Sequence, residues 1–111
     1  MDQIFVFAVE DAEAACWRAE LGVVAPDKAA AVRRLREAGV RKSQFRNGLR
    51  PDRVMGLSEI ALAGLRSGAV VRRRDDDGWT PWEVVASDRT LNWRRSGHFA
   101  IDSRGGVHRL R

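Results

Sequence analysis

Cysteine is nearly missing from this chain: Cys16 is the single one in 111 residues. A disulfide framework within the chain is therefore excluded. Cys16 stands between Ala15 and Trp17 on an expected strand, with no adjacent base and no helix start. It reads as a small buried hydrophobe and not as a thiolate nucleophile. Lysine is scarce too, with only Lys28 and Lys42 among 20 basic residues, and histidine is limited to His98 and His108. The longest clean apolar run, residues 4–9, is far too short to cross a bilayer. No basic start followed by a cleavage site marks a signal peptide, so a soluble, cytoplasmic protein is expected. No phosphate loop, dinucleotide fingerprint or nucleophile elbow occurs, and no cofactor is expected.

What is present is arginine. The formal net charge is +5, unevenly spread. Residues 1–30 carry six acids and two bases, residues 31–74 three acids and twelve bases, and residues 75–111 six of each. A surplus of nine positive charges within residues 31–74 attracts a polyanion by counterion release, or an acidic protein by steering. Arginine also matches phosphate bidentately and stacks on bases. The bland alternative is a GC-rich coding sequence, which yields many Arg, Ala and Gly without any selection for binding.

With 44% hydrophobic and 32% charged residues the chain is neither disordered nor membranous, and residues 1–111 suit one α+β domain. Residues 3–9 are expected as a strand, and the continuous apolar run within it predicts burial on both faces. Residues 15–24 alternate: Trp17, Ala19, Leu21 and Val23 point one way, Cys16, Arg18, Glu20 and Gly22 the other. That pattern predicts a half-exposed strand paired with the first as a hairpin. Pro26 and Asp27 open a helix over residues 26–38, with Ala31, Val32, Leu35 and Ala38 on one face. A second helix is predicted over residues 58–67, capped by Ser58, with Leu57 stapled to Leu62 and Ile60, Ala61, Gly64 and Leu65 as its buried stripe. Residues 69–74 and 82–86 read as strands around an Asp75-Asp76-Asp77-Gly78 turn, and residues 99–102 and 107–110 as a final hairpin. The expected architecture is an N-terminal hairpin, two helices, and a β-rich C-terminal third in a single mixed or antiparallel sheet. Residues 41–56 are the least legible stretch.

Residues 38–49 read Ala-Gly-Val-Arg-Lys-Ser-Gln-Phe-Arg-Asn-Gly-Leu. This resembles the turn and recognition helix of bacterial helix-turn-helix repressors. The resemblance implies Gly39 as turn glycine, Val40 as the packing residue after it, and Arg41, Lys42, Gln44 and Arg46 toward the DNA major groove. Leu35 stands where that pattern wants a small residue, and Gly48 where it wants a branched apolar one. The other reading is an ordinary helix C-cap followed by a solvated edge.

Arg72 and Arg74 share one face of their strand, placed to follow a phosphate backbone or to pair with Asp75 to Asp77 across the turn. The aspartates lack the sixth-position Gly and twelfth-position Glu of a calcium loop, since Thr80 and Ala86 stand there, so no metal site is expected. Trp79, Trp82 and Trp93 crowd into fifteen residues near Arg94 and Arg95. Indoles beside guanidiniums serve base stacking, or a small core with Arg over a ring face, and an exposed one is a partner hot spot. A hairpin register pairing Asp102 with Val107 sets His98 beside Asp102 and Arg109, and His108 beside Phe99 and Ile101, so the imidazoles do not meet. His98 with Asp102 could act as an oriented general base, though no nucleophile accompanies it.

The reading that follows is a non-enzymatic module binding nucleic acid through Arg33, Arg34, Arg41, Lys42, Arg46, Arg50, Arg72 and Arg74, with Trp79, Trp82 and Trp93 as partner contacts. The alternative is an interaction module of immunity or antitoxin type directed at an acidic protein. A third is a small enzyme or anion binder using His98 and Asp102. A hairpin edge would also allow a homodimer.

Overall fold

The computed structural model of the chain describes residues 2–10, 18–38, 48–60, 67–75, 77–86, 99–101 and 107–109. Strands β1 (Gln3–Glu10) and β2 (Arg18–Ala25) form the expected hairpin, antiparallel with Phe5 opposite Val23. Helix α1 (Lys28–Glu37) follows, then β3 (Arg53–Gly56), β4 (Ala69–Asp75), β5 (Gly78–Trp79) and β6 (Glu83–Ala86). The sheet order is β3-β1-β2-β4-β5, with β6 also pairing with β4, and each of these pairings is antiparallel. β5 and β6 act as one edge strand interrupted at Thr80, Pro81 and Trp82, where proline has no amide to offer a ladder. β7 (Phe99–Ile101) and β8 (Val107–Arg109) form a separate two-stranded ladder, so the sheet is not the single one expected. No described helix is long and apolar enough to cross a membrane.

Both faces of the sheet are covered at its centre. On the first face α1 lays Ala30, Ala31 and Leu35 over Phe5, Phe7, Leu21, Val23 and Val71. On the second face Ile4, Val6, Val24 and Val70 pack with Ile60, and Met55, Leu57, Trp82 and Val84 close around them. The first strand is therefore buried on both sides, as its unbroken apolar run implies. The second strand departs from expectation. It is interior as well, and Glu20, on the side expected to face water, is only 6% exposed.

Asp27 is the N-cap of α1, with its Oδ1 accepting from the Ala30 amide at 2.8 Å, so Pro26 stands before the cap and not at the first helical position. Arg34 reaches back from α1 and donates to the Val24 carbonyl, tying the helix to the end of β2. The predicted second helix is not supported. Its described beginning is a single 3-10 turn, Leu57–Glu59, capped by Gly56 and not by Ser58. Ile60 already has extended angles, φ −112° and ψ 115°, and is buried against the second face. Tertiary burial of Ile60 outweighs the helical periodicity of a short segment. Leu62 and the rest of that stripe lie outside the described residues. Gly68, at φ 92°, turns the chain into β4.

Candidate functional site

The strand pairings fix what lies on the second face toward the far end of β2. Glu20 stands opposite Arg72, and Arg74 opposite Trp79. Arg53 comes from β3 across the sheet, because Val6 pairs with Arg53 on one side and Gly22 on the other. The Glu20 carboxylate is the hub. Oε1 accepts from Arg53 at 3.1 Å and from the Nε of Arg72 at 2.7 Å, and Oε2 accepts from the second Arg53 nitrogen. Burial alone would raise the Glu20 pKa, but hydrogen bonds and charge from Arg53 and Arg72 outweigh it and hold the group below the ordinary carboxylate value.

Arg72 is also a stacking partner. Its guanidinium carbon lies 4.2 Å from the Trp79 ring centroid and 4.7 Å from that of Trp82. The two indoles thus meet on one side chain. Trp82 is half-buried in the apolar cluster, while Trp79 is 38% exposed. Arg74 is exposed two residues further along β4. The second face therefore grades from an apolar end at Ile4, Val24 and Met55 to a charged end carrying an anchored guanidinium, an open indole and an exposed cation.

The described members of the set of eight expected cations lie on both sides of the sheet. Arg72 and Arg74 lie on the second face. Arg33 and Arg50 lie on the helix side, where they line a groove of about 640 Å³ with Lys28, Arg36 and Glu37 around a floor of Ala29, Val32 and Leu49. Arg34 donates to the Val24 carbonyl and Arg72 is held by Glu20, so both are engaged within the chain. Arg41, Lys42 and Arg46 lie outside the described residues, as do Trp93, His98 and Asp102, so the helix-turn-helix resemblance and the His98–Asp102 pair rest on undescribed positions.

The final hairpin is in a different register from the one expected. Ile101, not Asp102, pairs with Val107, and His108 stands opposite Ala100. The expected separation of the two imidazoles involves His98 and so lies outside the described residues. Sequence reasoning missed Glu20 and Arg53 as members of the site. A lone acid within the apolar run Ala19–Val24 was the available signal, since such a group needs a buried partner. Among the described residues no three His, Cys, Asp or Glu side chains gather as metal ligands.

Comparison with family models, curated proteins and solved structures finds no match. What the surface can do is read from its chemistry alone.

Proposed function

We propose that the chain is a non-enzymatic binding module for single-stranded nucleic acid, and that the charged end of the second face is its contact surface. The observation that carries this reading is the Arg72–Trp79 stack at 4.2 Å beside the exposed Arg74. Stacking platforms for unpaired bases combine an aromatic ring with cations that follow the backbone. Glu20 holds Arg72, and Arg72 holds the Trp79 indole, so the platform is ordered before any ligand arrives. Arg74 stands about 7 Å further along the strand, two residues away, in position for a phosphate. A duplex hides its base faces and gives the indole nothing to stack on.

The test is fluorescence anisotropy of a labelled, mixed-sequence RNA of about twelve nucleotides, single-stranded and as a duplex. It is run at about 50 and about 200 mM salt, a span over which phosphate-driven binding weakens strongly. Single-strand binding that falls with salt, with a shallower salt slope for Arg74→Glu, is the expected result. No binding at the lower salt, or equal binding of the duplex, overturns the reading.

A further inference from the structure

The helix-side groove is separate from that surface, since α1 covers the first face of the sheet and the Trp79 platform lies on the second. Its floor is apolar: Val32 and Leu49 pack onto the edge of the core, and Ala29 completes it. Its rim is cationic, with Lys28, Arg33, Arg36 and Arg50 against one carboxylate, Glu37, among the described residues. Lys28, Val32 and Arg36 stand four residues apart in one row of α1, so an apolar step separates two cations about 12 Å apart. An opening of about 640 Å³ lies within the range of sites that seat side chains or small ligands.

We infer that this groove docks an acidic amphipathic segment of a partner protein. Its apolar side chains would sit on Val32 and Leu49, and its flanking carboxylates would face Arg33, Arg36 and Arg50. Charge complementarity selects the occupant. A phosphate backbone matches the rim but not the floor, where hydrated phosphate and ribose find no hydrogen-bonding partner. Among the described residues the floor also has no aromatic ring on which a base would stack. A helix laid against a groove with apolar anchors three or four residues apart satisfies both the floor and the rim. The inference is independent of the nucleic-acid reading, because none of its residues lies on the second face.

The probe is a labelled peptide of about fourteen residues with two leucines four apart and glutamates on either side, the spacing of helix-in-groove anchors. Two controls replace the leucines by serine, or the glutamates by lysine. The acidic leucine peptide alone should bind. Arg33→Glu combined with Arg36→Glu should weaken it by about tenfold or more, because charges at the rim turn repulsive. Val32→Thr, which keeps the side-chain volume, should also weaken it, and Trp79→Leu should leave it unchanged. Circular dichroism checks that each variant is folded. No binding of the acidic leucine peptide overturns the inference, as does equal binding of the serine peptide or indifference to the double charge reversal. If the double reversal abolishes RNA binding while Trp79→Leu does not, the groove is the nucleic-acid site and both readings fail together. If RNA binding follows Trp79 and the peptide fails, only the groove inference is lost.

Discussion

Glu20 is the residue on which the second face depends. Its carboxylate receives Arg53 and Arg72 together, and Arg72 in turn orders two indoles. Replacing it by glutamine leaves two guanidiniums facing a neutral amide. The cost should fall between the ~1 kcal/mol of an exposed pair and the ~3–5 kcal/mol of a buried one, since Arg53 is partly exposed. The pH dependence has a definite sign. The folded pKa lies below the ordinary value of 4.5, so the stabilisation is fully present above that value. It is lost as pH falls through the lower folded pKa. Urea unfolding of wild type and Glu20→Gln should therefore differ at neutral pH and converge in strong acid, and a constant difference at all pH values would count against the ion pairs. Gly22 is a second sensitive position. A Cβ there would stand 2.7 Å from the Ile4 Cγ2 and 2.9 Å from the Val70 Cγ2, both in the buried cluster. Gly22→Ala should cost about 1–3 kcal/mol by overpacking, read as a shift in the urea midpoint.

At the scale of elements, α1 depends on its cap as well as its buried face. Asp27→Ala removes the acceptor of the Ala30 amide and should cost about 1 kcal/mol in thermal or chemical unfolding. An unchanged midpoint would show that the cap bond contributes nothing. The helix, the β1–β2 hairpin, β4 and β6 were legible because each carries a periodicity that local sterics and burial both favour. β2 was misread as half-exposed because alternation records only side-chain polarity. It does not reveal that Arg53 and Arg72 arrive from two other strands to satisfy Glu20. The segment after Gly56 failed for a related reason. Its apolar spacing suits a helix, but at Ile60 the sheet supplies the burial and the chain is extended. The final hairpin was recognised as a hairpin, but one residue of register was lost, since a glycine-containing loop does not announce its own length.

At the scale of the molecule, the basic surplus is divided by the sheet. Composition located it in residues 31–74 but not on a side, because side is decided by which strand pairs with which. α1 carries Arg33 and Arg36 outward over the first face, whereas the pairing of Glu20 with Arg72 directs Arg72 and Arg74 to the second. Arginine number therefore overstated the cations available to a ligand, because Arg34 and Arg72 bind groups within the chain. The indoles were legible as a cluster, and the role of Trp79 became readable only with its stack and its exposure in view. The most direct measurement is intrinsic tryptophan emission of wild type and Trp79→Leu, titrated with single-stranded mixed-sequence RNA at about 50 mM salt. Quenching that saturates in wild type, and is lost together with most of the affinity in Trp79→Leu, is the result expected if the Trp79–Arg72 platform holds unpaired bases. Undiminished RNA affinity in Trp79→Leu would contradict it.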